Sequence, residues 1–112
     1  AEAYLIRAEA YLRAGGANAQ QNAWLDIKAL RDRAKATEIP SANNLTLDYI
    51  LDERARELAF EGHRWFDLRR TTRPRIEKTL YSGQTIILEQ NDERYTLRIP
   101  QSAIEANPNL SN

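Results

Sequence analysis

The chain has 112 residues, 42% of them hydrophobic and 29% charged, with 16 basic residues balancing 16 acidic ones. That suits one ordinary globular domain, 1–112, with one core. The charge balance gives no long-range pull toward nucleic acid or an anionic membrane. The lack of cysteine excludes disulfides and thiolate metal sites.

No apolar run approaches the roughly 20 residues that span a bilayer. The opening AEAYLIRAEA carries charges from its second residue and lacks a signal-peptide layout, as a mature fragment or an internal piece would. It then nearly repeats itself, AEAYLIR followed by AEAYLRA. Tyr4, Leu5, Ala8, Tyr11 and Leu12 form an apolar stripe at helical spacing, and Gly15 and Gly16 supply an ending. A second helix is expected over 19–36, burying Ala23, Trp24, Ile27, Leu30 and Ala34. A short glycine turn between two helices makes an antiparallel pair over 1–36, resembling a tetratricopeptide unit.

Pro40, Ser41, Asn43 and Asn44 mark a loop. A long third helix is expected over 46–70, with Thr46 as N-cap and Asp48 favouring its positive end. On it Leu47, Leu51, Leu58, Gly62 and Trp65 share a face. Arg54 and Glu61 fall inside that apolar arc, with Glu57 and Arg64 on its shoulder. Buried charges need partners. The spacing offers Arg54 with Glu57 and Glu61 with Arg64, one turn apart. Gly62, read as a mid-helix residue, predicts close approach of a ring from Tyr4, Tyr11 or Trp24.

In the tail, 85–90 and 94–99 flank Asn91-Asp92 and suggest a hairpin over 85–99. Its register would set Glu89 against Arg94, Leu88 against Tyr95 and Ile86 against Leu97. A brief turn or helix and an irregular end follow over 100–112. The expected fold is therefore mainly α: a helix pair, a long third helix, a short hairpin and an irregular tail.

The segment ILDERARELAFEGHRWFDLRR resembles the signature near the C-terminus of the SusD/RagB family. The matching positions are Glu53, Arg54, Glu57, Leu58, Phe60, Glu61, Gly62, Arg64, Asp67 and Leu68. Ile99, Pro100, Ile104, Asn107, Pro108 and Leu110 resemble the family's ending, although Ala103 stands where the family usually has an acid. The opening AEAYLIRAEAYLRAGG fits the helix pair that precedes the signature.

The resemblance implies a surface lipoprotein of the bacterial outer membrane in Bacteroidetes, held there by a lipid anchor outside this sequence. Such a protein passes oligosaccharides or peptides to a SusC-like TonB-dependent transporter. It is a binding protein and not an enzyme, with no cofactor, and this segment is mainly scaffold. Glu53, Arg54, Glu57, Phe60, Glu61, Gly62, Arg64 and Asp67 form a structural motif; the ligand-binding residues are not assigned.

The residues themselves invite other chemistry. Glu53, Glu57 and Glu61 invite a glycosidase reading, but acid–base work needs two carboxyls flanking a cleft, and Arg54, Arg56 and Arg64 are interleaved with them. His63 is the one histidine, without zinc-type spacing, so no metal is expected. Arg69, Arg70, Arg73 and Arg75 form a basic patch that either meets phosphate or an acidic partner, or complements a helix C-terminus. Trp24 and Trp65 lie on apolar faces and read as core, whereas Tyr81 and Tyr95 are freer to meet a sugar. A generic helical-repeat scaffold for protein partners would account for composition and the first pair, but not for the signature or the ending.

Overall fold

The computed structural model describes residues 1–36, 41–107, 109 and 110. They form two compact units, Ala1–Asp67 and Leu68–Asn112. The fold is mainly helical with one small antiparallel sheet.

In the first unit, α1 (Glu2–Ala14) and α2 (Ala19–Arg33) fold back on each other. Gly15 ends α1 at φ 70 and ψ −164, a region open essentially to glycine, and its N–H reaches the Tyr11 carbonyl at 3.0 Å. Helix α2 stops short of the expected residue 36. Lys35 takes φ 53, its N–H bonding the Asp32 carbonyl while Ala36 N–H reaches back to Arg31. This is a Schellman ending with lysine where glycine is usual. Ala34, expected in the core, is exposed beyond that ending, and Trp24 is only half-buried.

A 3-10 turn at Ala42–Asn44 leads into α3 (Leu47–Glu57), which Thr46 caps by accepting the Tyr49 N–H at 3.2 Å. Pro40 lies outside the described residues. The core joins Leu5 and Ala8 of α1, Ala23, Ile27 and Leu30 of α2, then Leu45, Ile50 and Leu58.

The expected single helix over 46–70 is two helices. After α3 the chain turns through residues 58–62, and α4 (His63–Arg70) begins afresh. Phe60 at φ 66 and Gly62 at φ 82 break the helix, because left-handed residues cannot continue a right-handed one. Gly62 does not sit in a packed seam. It is exposed, and a Cβ built there meets nothing within 4 Å.

The second unit holds β1 (Ile76–Thr79) and β2 (Thr85–Leu88), antiparallel with Ile76 opposite Leu88 and Thr79 opposite Thr85. The turn between them uses Gly83 at φ 80. The hairpin expected across Asn91-Asp92 does not form. The Asp92 side chain instead accepts the Arg94 N–H at 2.9 Å and opens a 3-10 turn, Glu93–Tyr95. Glu89 then pairs with Arg75, and Leu97 is exposed. Tyr95, expected to be free for a ligand, is fully buried and donates its hydroxyl to the Pro74 carbonyl. The tail supplies the brief helix expected of it, α5 (Gln101–Ala106).

Two substitutions test the left-handed positions. Gly62→Ala should destabilise by about 1 kcal/mol through backbone strain alone, with no overpacking. Lys35→Gly should stabilise by up to about 1 kcal/mol, since glycine carries no Cβ penalty there. Urea unfolding measures both, and a stabilised Gly62→Ala would contradict the broken helix.

Candidate functional site around Arg54

The site grows from the end of α3. Arg54 is answered from beyond the turn: its Nε donates to Asp67 Oδ2 at 2.9 Å. Both side chains are 5% exposed. The turn at 58–62 is what brings α4 back so that residues thirteen apart can meet. Arg54 Nη1 is also buried, without a hydrogen-bond partner among the described residues. A buried donor left in that state costs about 1–3 kcal/mol. Arg64 Nη1 reaches the Leu51 carbonyl at 3.5 Å, a second and weaker tie between the helices.

The carboxylates of α3 look the other way, toward α2. Glu53, buried, accepts from Arg56 Nη2 at 2.6 Å and from Arg31 Nη1 at 3.3 Å. Glu57 pairs with Arg33. The hydrogen bond to Glu53 raises the Arg56 guanidinium above its ordinary pKa, with burial opposing it. Arg7 is raised likewise, first by its hydrogen bond to Asp26, which its Nη2 meets at 2.6 Å.

The expected pairs, Arg54 with Glu57 and Glu61 with Arg64, are therefore replaced. Glu61 lies exposed in the turn, where the register of α3 no longer applies, and Arg64 is exposed on α4. Phe60 and Gly62 are exposed beside it. His63 opens α4 half-exposed, its Nδ1 3.7 Å from Glu2 Oε1. The structure thus gathers Arg54 with Asp67 and Glu53 with Arg56, and leaves Phe60, Glu61 and Gly62 at the surface. The α2 partners Arg31 and Arg33 were missed in the sequence. Two basic residues in the last turn of α2, with acids at 53 and 57, were the available signal.

The basic patch resolves by position. Arg69 and Arg70 fall in the last turn of α4 and suit its negative end. Arg73 donates to the Arg69 carbonyl at 3.0 Å, and Arg75 pairs with both Glu77 and Glu89. A groove of about 530 Å3 opens at the α1–α2 turn, lined in part by Leu12, Arg13, Gly16, Leu45 and Leu47. No residue of the 53–67 signature lines it. Among the described residues no three His, Cys, Asp or Glu side chains cluster as metal ligands. No described helix is long and apolar enough to cross a membrane. Trp65 is half-buried, and Tyr81 is fully exposed.

Arg54→Ala should cost about 3–5 kcal/mol, because it strands the buried Asp67 carboxylate. Glu61→Ala should change stability by less than about 0.5 kcal/mol. Matching losses of melting temperature would refute this placement. In the second unit, hydrogen bonds from the Arg94 side chain and then its backbone N–H lower the Asp92 carboxyl to about 2. A depressed carboxyl stabilises the fold above its unfolded value, near 3.8, and that gain is lost as pH falls toward 2. The carbon shift of the Asp92 carboxyl should therefore titrate near pH 2; a midpoint close to 4 would refute the pairing with Arg94.

Comparison with known proteins agrees with the signature. The starch-binding protein SusD of Bacteroides thetaiotaomicron is 46% identical over 68 residues. That stretch is 61% of this chain but 11% of the relative, so the chain matches a small part of that protein's length. The sequence pattern of the SusD family matches residues 1–112. The chain belongs to the SusD family.

Proposed function

We propose that these residues are the C-terminal scaffold of a cell-surface lipoprotein. That protein binds an oligosaccharide, or in some settings a peptide, and hands it to a SusC-like TonB-dependent transporter in the outer membrane. The observation that carries this reading is the family match over residues 1–112. The starch-binding relative supports a glycan as the ligand class. A lipid anchor outside these residues supplies the membrane contact.

In this reading the motif Glu53, Arg54, Glu57, Phe60, Glu61, Gly62, Arg64 and Asp67 is structural. Its buried charges are engaged by Arg31, Arg33 and Arg56 or by one another. The groove at the α1–α2 turn has no aromatic ring in its lining on which a sugar would stack. In this reading the sugar-binding surface comes from elsewhere in the parent protein. The work is binding and delivery, with no bond made or broken.

Calorimetry with linear starch fragments tests both halves of the proposal. The full gene product should bind, and the 112-residue chain should show no binding tighter than about 1 mM. Sub-millimolar binding by the short chain would overturn the scaffold role. Failure of the full product to bind any glycan or peptide offered would overturn the nutrient-binding role.

A further inference from the structure

The small sheet of the second unit has two strands and therefore two open edges. Which backbone groups face outward follows from the turn. Leu80 N–H donates to the Gln84 carbonyl at 2.8 Å and Gly83 N–H to the Leu80 carbonyl at 2.9 Å, a hairpin loop closed by a left-handed glycine. Leu80 and Gln84 are thus hydrogen-bonded across the strands. Bonded and non-bonded pairs alternate along an antiparallel ladder, so Lys78 with Ile86 and Ile76 with Leu88 bond inward. Thr85 and Ile87 on β2, like Glu77 and Thr79 on β1, then turn their N–H and C=O groups outward.

The two edges are defended differently. On β1 stand Glu77 and Lys78, both exposed, and charges on an edge discourage an added strand. The residues of β2 are Thr85, Ile86, Ile87 and Leu88, none of them charged, with Ile86 and Ile87 40% and 39% exposed. What stands at that edge is Arg94. Its Nη2 donates to the outward Ile87 carbonyl at 2.5 Å. Its Nε and the same Nη2 meet the Asp92 carboxylate at 2.8 and 2.6 Å, which fixes the guanidinium beside the strand.

We propose that Arg94 guards the outer edge of β2, and that the strand it keeps away is β2 of a second copy of this chain. Charge selects that occupant. Two β2 strands paired antiparallel and centred on Ile86 set Ile86 against Ile86 and Thr85 against Ile87, with no charge in the seam. The same pairing of two β1 strands sets Lys78 against Lys78 or, in the neighbouring register, Glu77 against Glu77. Like charges directly opposite destabilise a pair of strands. Arg94 opposes the β2 pairing twice over, because it occupies an acceptor that the new ladder needs and lays a cation on the seam from each copy. Strands of four residues bury far less than the about 1,600 Å2 of a stable dimer. The balance is therefore close enough for one hydrogen-bonded side chain to hold it on the side of the monomer. The guard owes nothing to the glycan reading, and the two stand or fall separately.

Arg94→Ala removes the guard and keeps the backbone of the 3-10 turn, since the Asp92 side chain still accepts the N–H of residue 94. In the full gene product, sedimentation velocity over a concentration series should show the variant self-associating about tenfold more tightly than the unaltered protein. Residue-resolved hydrogen exchange then locates the contact. The Thr85 and Ile87 amides, outward in the unaltered protein, should exchange about tenfold more slowly in the associated variant. Adding Ile87→Lys should return the protein to its unaltered state of association, because it places a lysine in the seam from each copy. That lysine faces Glu77 within the hairpin, so the hairpin itself tolerates it. An Arg94→Ala protein no more associated than the unaltered one overturns the proposal. So does association that leaves exchange at Thr85 and Ile87 unchanged. Loss of protection at Ile86 and Leu88 overturns it as well, since Arg94 would then hold the hairpin together and not guard its edge.

Discussion

A guanidinium taken out of water has to be answered, and Asp67 is the residue that answers Arg54. With both side chains 5% exposed, the pair cannot be exchanged for hydration, so α4 is obliged to return to the end of α3. The obligation reaches back through the sequence. Helix α3 must stop at Glu57, and the turn must cross five residues with two of them left-handed. His63 must then start a new helix that brings Asp67 round one turn later. A straight helix over 46–70 would carry residues 54 and 67 about 20 Å apart along its axis, at 1.5 Å per residue. No side chain spans that distance.

The same constraint explains which parts of the fold were legible in the sequence. The α1–α2 pair was readable because its signals are local: an apolar stripe at helical spacing, and glycines at the one place where φ must be positive. The N-cap at Thr46 was readable for the same reason. The break at 58–62 was not, because Phe60 is a poor advertisement for a left-handed turn and the apolar period happens to resume beyond Gly62. A continuous helix puts Glu61 in the arc beside Arg64 and offers Glu57 to Arg54. Both pairings fall with the break at Phe60 and Gly62. In the tail, Asn91-Asp92 looked like the hairpin turn, but the Asp92 carboxylate could satisfy the Arg94 N–H locally, and the true turn lay at Gly83. Signals that depend on a partner distant in sequence, such as Arg31 with Glu53, left only an ambiguous trace.

The charges of the first unit work in two registers. Arg7 with Asp26 ties α1 to α2, and Arg33 with Glu57 ties α2 to α3, while Arg54 with Asp67 ties α3 to α4. The outer pairs have solvent-exposed arginines, which screens them more than the pair at Arg54, although the Asp26 carboxylate is itself buried. The inner pair differs in that both of its partners are buried. Formal neutrality of the chain thus coexists with specific couplings between successive helices of the first unit.

That distribution bears on what a family signature means physically. In many proteins a cluster of Arg, Glu and Asp within one short segment marks chemistry, because perturbed charges serve substrates as readily as they serve folds. Here the buried members of the cluster are committed before any ligand arrives. Glu53 is held by two arginines, and Asp67 closes on Arg54. A carboxylate already held by buried or neighbouring arginines would have to give up a present partner to meet a sugar. The residues of the signature left at the surface, Phe60, Glu61 and Gly62, sit on the turn that this commitment creates. The buried pair fixes the turn, and the turn decides what the segment can present to its surroundings.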